Sequence, residues 1–200
     1  MNHEIQKLLE AEIIAIMKIP NEGNDFEGAI NCIIKAVHEN GGKLVTSGIG
    51  KAGQIALNIA TTFSSTGTPA VYLHPTEAQH GDLGVLQKND VLLLLSNSGK
   101  TREILELIHL SKNLFNNLSI ISITGDKESE LTKLSDISLY TGNSKEICPL
   151  GLTPTISTTQ MTVMGDILVV QTMKEINFSK KEYSKRHHSG YLGQKSKEDE

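Results

Sequence analysis

Residues 90–96 read "DVLLLLS", five apolar residues in a row between an acid and a serine. A strand with one wet face alternates polar and apolar positions. A strand apolar at every position has to be covered on both faces, as in the middle of a parallel sheet with helices above and below. Four further short runs have strand character: "KLVTS" (43–47), "PAVYLH" (69–74), "SIISIT" (119–124) and "ISLYT" (137–141). Helical spacing fills the intervals, at about 51–65, 101–115 and 128–134. Two amphipathic helices precede the first strand. One, over 4–18, places Ile5, Leu8, Leu9, Ile13 and Ile16 at helical spacing; the other, over 25–39, does the same with Phe26, Ile30, Ile33, Ile34 and Val37. This order predicts an α/β chain, a three-layer αβα sandwich around a doubly wound, five-stranded parallel sheet.

After the last strand, residues 157–176 form a helix that is apolar around most of its circumference. Such a helix has to be deeply buried or packed on another subunit. A short helix from Ser179 leads into "RHHSGYLG", and 194–200 reads as a frayed tail after a single domain spanning 1–193.

Composition narrows the class. Of 200 residues, 38% are apolar and 21% charged, which is globular. A net charge of -4 with 4% aromatics argues against a nucleic-acid or membrane-surface binder. The N-terminus is charged and lacks a signal-peptide core, and no apolar run approaches the roughly 18 residues of a membrane span. Cys32 and Cys148 form no C-x-x-C pattern, so a reduced, cytoplasmic setting is expected.

In an open α/β sheet, ligands bind beyond the carboxyl ends of the strands. The polar or glycine-rich loops here all fall there: Ser47–Gly53, His74–Gly84, Ser96–Thr101 and Thr141–Thr158. The first carries Gly48, Gly50 and Gly53 in the spacing G-x-G-x-x-G. A dinucleotide reading requires an acid about 20 residues on, at the end of the second strand. His74 and Pro75 stand there instead, and Glu77 follows the proline. A Walker A reading of "GKT" at 99–101 fails because residue 94 is a leucine inside a strand. What remains is a backbone that lets an anionic ligand approach closely at Ser47, Gly48 and Gly50. The Ser96, Asn97, Ser98 and Thr101 cluster at the next helix start suits one phosphate. The plainer alternative is that Ser98 or Thr101 only caps that helix.

The stretches "SGIGKAG" (47–53), "STGTPAVYLHPTEAQHGDLG" (65–84), "SNSGKTRE" (96–103), "KEICPLGLTPTISTT" (145–159), "MGDIL" (164–168) and "RHHSGYLG" (186–193) resemble the sugar isomerase (SIS) domain family, in the family's order. Within it they are similar to the arabinose 5-phosphate isomerases. Two departures stand out. Lys51, Ala52, Gly53 and Gln54 replace the "GKSGH" of many members, and His187, His188, Ser189 and Gly190 replace "HPAG". Longer members carry CBS modules after the isomerase domain, and the form expected here is one without them.

The resemblance implies interconversion of D-ribulose 5-phosphate and D-arabinose 5-phosphate through an enediol, feeding synthesis of the acid sugar Kdo for lipopolysaccharide or capsule. That chemistry needs a base, a proton carrier for the oxygens and a positive group near the enediolate. Lys51 is placed to meet an oxyanion or the phosphate. Glu103 and Glu146 are candidate bases; for Glu103 simple alignment with the helix dipole is the alternative. His187 and His80 are the expected acid–base pair, with His188 as a substitute for His187. His74, before Pro75, reads as structural. No cofactor is required on this reading, no residues form a metal site, and zinc enters only as an inhibitor. A homo-oligomer is expected, a tetramer whose sites are shared through the loop bearing His187, with feedback by a Kdo nucleotide. Two other functions stay open: a non-catalytic sugar-phosphate sensor, and an isomerase of another sugar phosphate.

Overall fold

Strand β3 (Val91–Leu95) is fully buried at all five positions, the two-faced burial its sequence demands. The computed structural model describes residues 2–20 and 23–197. β3 pairs in parallel with β1 (Leu44–Gly48) on one side, Leu44 opposite Val91 and Gly48 opposite Leu95. On its other side lies β4 (Ser119–Thr124), with Leu93 opposite Ile121. β2 (Ala70–Tyr72) flanks β1 and β5 (Ile137–Tyr140) flanks β4, so the all-parallel order is β2-β1-β3-β4-β5. The chain winds outward in both directions from β1, and the topological switch point falls between β1 and β3. Asp90, 2% exposed, opens β3 and accepts from the Lys43 backbone N–H (2.9 Å), the Lys43 ammonium (2.6 Å) and the Gln87 N–H (2.8 Å). A buried carboxylate with this many donors ties the starts of β1 and β3 together.

The helices form two layers. On one face Leu93, Leu95, Ile121 and Leu139 meet α2 (Phe26–Ile33), α3 (Gly50–Ser65) and α7 (Ile156–Glu175). On the other face Leu92, Leu94 and Ile120 meet α5 (Arg102–Leu114) and α6 (Glu130–Leu134). Alternate residues of one strand thus feed two separate cores, which is the expected sandwich. α2 continues as a π-helical segment over Ile34–Glu39. β2 is shorter than the run 69–74 suggests because Pro75 starts a turn of helix, α4 (Pro75–Ala78), with His74 as its cap. The His74 Nδ1 accepts from the Thr76 N–H at 3.3 Å, in keeping with its structural reading.

α7 lies close against α3: a side chain at Gly165 would stand 2.5 Å from Ile59 Cγ1. α1 (Asn2–Met17) rests on α7 through buried Ala15. The other side of α1 is open. Ile5, Leu8, Leu9, Ile13, Ile14 and Met17 are each between 48% and 80% exposed. At the carboxyl end, α8 (Lys180–Ser184) is followed by α9 (Gly190–Lys195). Gln194 and Lys195, expected in a frayed tail, stand in that helix, anchored by buried Gly193, whose Cβ would lie 2.8 Å from the His187 carbonyl oxygen. Residues 198–200 of the expected tail lie outside the described residues. No helix among the described residues is long and apolar enough to cross a membrane.

Candidate active site

The turn from β1 into α3 is built on glycine. Gly50 has φ +59°, a left-handed conformation that costs other residues energy. Gly48 and Gly53 touch: a Cβ on Gly53 would lie 2.6 Å from the Gly48 oxygen, so the helix starts directly against the strand end. That oxygen also accepts from the Tyr72 hydroxyl at 2.9 Å. The tight turn puts Lys51 at the second residue of α3, exposed on the rim of a cleft.

Across the switch point stands the loop from β3 to α5. Ser96, 3% exposed, shares a hydrogen bond of 2.8 Å with the Thr101 hydroxyl and accepts from the Gly99 N–H at 3.1 Å. Gly99 has φ +61°, and a Cβ there would meet Ser129 Oγ at 2.1 Å. Ser98 Oγ accepts from the Lys100 N–H at 3.2 Å. Neither hydroxyl caps α5: Thr101 is the cap residue, yet its side chain makes no capping bond. The capping alternative is therefore excluded, and among the described residues the first-turn donors of α5 receive no capping bond from Thr101.

The cleft between these loops encloses about 280 Å³ and is lined by Lys51, Ser96, Asn97, Ser98 and Thr101 together with Ser157, Thr158 and Met161 of α7. The N-termini of α3, α5 and α7 all border it. Each brings the positive end of a helix dipole, and the cap residues of α3 and α5 leave first-turn N–H groups without a side-chain acceptor. With Lys51 as its basic side chain, the cleft has the charge and the size that suit a small anionic metabolite.

Five of the expected site residues, Lys51, Ser96, Asn97, Ser98 and Thr101, thus line one cleft, and the others do not. Ser47 is a correction to the expected ligand contacts. It is fully buried, and its hydroxyl donates to the Leu73 oxygen at 2.6 Å, tying β1 to the end of β2. Gly48 and Gly50 shape the turn without lining the cleft. Glu103 is half-buried in the first turn of α5, and His80 is exposed after α4. Glu146 stands outside the cleft lining and is bonded to it through Ser157. Its Oε2 accepts from the Thr155 N–H (2.7 Å), the Thr155 hydroxyl (2.9 Å) and the Ser157 N–H (3.3 Å). Burial pushes this carboxyl up, but the Ser157 and Thr155 hydrogen bonds together outweigh it and hold the carboxyl below its ordinary value. One oxygen of Glu146 is thus committed to capping the start of α7. His187 is half-buried in the turn after α8, with His188 exposed beside it. Ser157, Thr158 and Met161 were not among the expected site residues, although the loop Thr141–Thr158 was placed at the ligand end of the sheet; "ISTT" at 156–159, a helix start rich in hydroxyls, was the available signal.

Cys148 lies on the same loop as Glu146. Its sulfur accepts from the N–H groups of Thr153 (3.1 Å) and Leu152 (3.2 Å), and the Thr153 contact foremost lowers the thiol to about 7. Burial instead raises the Cys32 thiol. Because the thiolate is the nucleophile, alkylation by iodoacetamide is expected to rise through a midpoint of about pH 7 at Cys148 and to lag at Cys32. Peptide mass spectrometry over a pH series reads this directly; equal rates at the two thiols would contradict it.

A SIS domain family model matches residues 39–171. The chain belongs to the SIS domain family. It is 42% identical over 185 residues to the arabinose 5-phosphate isomerase KdsD of Francisella tularensis, covering 92% of this chain and 56% of that one. The corresponding KdsD of Escherichia coli K12 is 46% identical over 154 residues, 77% of this chain and 46% of that one. The chain thus spans about half the length of the curated relatives it matches. Solved structures match it over most of its length. A Bacteroides fragilis protein described as a phosphosugar isomerase involved in capsule formation is 60% identical, with a TM-score of 0.93, covering 96% of this chain and 99% of that one. A protein of E. coli CFT073 in complex with arabinose 5-phosphate is 34% identical, with a TM-score of 0.85, covering 92% and 96%.

Proposed function

We propose that this SIS domain is an aldose–ketose isomerase that interconverts D-arabinose 5-phosphate and D-ribulose 5-phosphate. The observation that carries the reading is the anion cleft at the switch point, where Lys51 and the ends of three helices surround a space for one small phosphate ester. The phosphate sits against Ser96–Thr101, and Lys51 faces the oxygens of C1 and C2. In the aldose-to-ketose direction a base removes the C2 proton and a proton is delivered to C1. The C2 hydroxyl gives up its proton as the carbonyl forms there, and the former aldehyde oxygen gains one. Positive charge fixed beside the enediolate stabilises it without reorganisation.

The cleft lining holds no imidazole or carboxylate among the described residues. We read the proton carriers as arriving from outside one chain's cleft, with His187 of a second copy the leading candidate and His80, Glu103 and Glu146 the others. The exposed apolar side of α1 supports a homo-oligomer, and we read it as a tetramer. Cytoplasmic location, activity without a metal, zinc inhibition, supply of Kdo for lipopolysaccharide or capsule and feedback by a Kdo nucleotide belong to the same reading.

The deciding experiment follows arabinose 5-phosphate by proton NMR in deuterated buffer, with and without EDTA. The expected result is loss of the C2 proton signal together with appearance of the ketose. No exchange at any enzyme concentration rejects the isomerase, and turnover confined to six-carbon phosphates reassigns the substrate. Light scattering on the same sample tests the oligomer, since a monomeric mass contradicts shared sites.

A further inference from the structure

The His187 ring is held more firmly than a turn residue requires. It lies flat on the ring of Tyr183, with centroids 3.7 Å apart and 4° between the planes. Its Nδ1 is 3.1 Å from the Tyr183 carbonyl oxygen, which also accepts the His187 backbone N–H at 3.1 Å. Tyr183 is in turn braced by Phe178, edge-on at 6.5 Å and 68°. Phe178 reaches the body of the domain: a Cβ at Gly67, which has φ +95°, would lie 2.6 Å from Phe178 Cε2. The Arg186 guanidinium covers Phe178 at 5.4 Å and pairs with Glu182 at 3.0 Å. From the other side, Gly193 of α9 lies against the His187 carbonyl. A continuous stack therefore runs from the turn between α3 and β2 out to one imidazole.

A carbonyl oxygen only accepts hydrogen bonds. The ring nitrogen that faces it has to carry the proton, and in a neutral imidazole the other nitrogen then does not. We infer that Tyr183 is a positioning residue: its backbone selects the Nδ1–H tautomer of His187, and its ring fixes the direction in which Nε2 is presented as the proton-accepting atom. The inference rests on the proposed role of His187 in proton transfer, and it adds which atom acts and what aims it. During the isomerisation Nε2 takes a substrate proton and returns it within the turnover, so the ring ends neutral and no other reactant is consumed. Nδ1–H remains on the Tyr183 carbonyl throughout, and the positive charge of the intermediate imidazolium is shared with that oxygen.

The test reads the tautomer independently of activity. Protein labelled with 15N-histidine gives long-range proton–nitrogen correlations, assigned to His187 by their loss in His187→Asn and recorded at a pH where histidine is neutral. The expected pattern is a protonated Nδ1 and a bare Nε2 in the wild type and in Tyr183→Phe, whose ring still stacks. Tyr183→Leu keeps the carbonyl but loses the stack that holds Nδ1 against it, so the ring turns away from that acceptor, and a mixed tautomer signal with a roughly tenfold lower kcat at nearly unchanged KM is expected, a fraction of the ~10²–10⁴ that a positioned proton carrier supplies. A wild-type ring with Nε2–H overturns the inference, as does a Tyr183→Leu enzyme with wild-type tautomer and kcat. Full kcat in His187→Asn removes the catalytic role of His187 itself, a failure seen separately from the tautomer result.

Discussion

Lys51→Met is expected to lower kcat/KM for arabinose 5-phosphate by about 10²–10³-fold, in the range of losing one fixed group that stabilises an oxyanion. Lys51 is the basic side chain among the cleft-lining residues, and the glycine turn that places it is closed by backbone contact between Gly48 and Gly53. Methionine keeps the length and the apolar stem but removes the charge. Lys51 is exposed on the first turn of α3 and lies outside both cores, so thermal unfolding should shift by only a degree or two. Lys51→Arg tests geometry against charge: a planar guanidinium cannot occupy the position of a compact ammonium without displacing the ligand, so it should recover phosphate binding better than turnover. A Lys51→Met enzyme with full kcat/KM would move the electrostatic role elsewhere in the cleft.

Leu93→Ala is expected to cost roughly 3 kcal/mol, within the ~2–5 kcal/mol found for emptying a buried leucine site. Leu93 is fully buried in the middle of the central strand, in the core shared with α2, α3 and α7. Strands clamp it on both sides, Thr46 in register from β1 and Ile121 from β4, so the surroundings cannot collapse into the space left. For a chain of this length the loss corresponds to a fall in Tm of about 10 °C. Chemical denaturation gives the midpoint shift directly. A cost below about 1 kcal/mol would mean that this core is less tightly packed than the burial indicates.

Much of the molecule was legible because its patterns are local. Five apolar positions in a row at 91–95 require cover on both faces, and the alternating helices supply it; the sandwich follows. The cluster Ser96–Thr101 and the glycine loop at 48–53 were both assigned to the carboxyl ends of strands. That they share one cleft depends on β1 and β3 being neighbours, a sheet order that no local pattern specifies. Ser47 shows the limit of such reasoning. It ends the run "KLVTS" as Ser96 ends "DVLLLLS", but it stands inside β1 while Ser96 lies just past β3, and its hydroxyl bonds to the Leu73 oxygen at the end of β2. Glu146 similarly read as a loop carboxylate. Its three donors come from Thr155 and Ser157, nine and eleven residues away, and only the fold of that loop brings them together.

The sequence by itself determined the layers, the parallel sense of the sheet and the two phosphate-suited loops, because burial period and turn chemistry act between residues close along the chain. Tertiary structure alone decided three things: the 2-1-3-4-5 strand order, the N-terminus of α7 as the third wall of the cleft, and the stack that aims His187. Each depends on contacts between segments far apart in sequence, where the deciding quantity is which surfaces fit and which hydrogen-bond donors find acceptors. Neither is written in the spacing of residues along one stretch of chain.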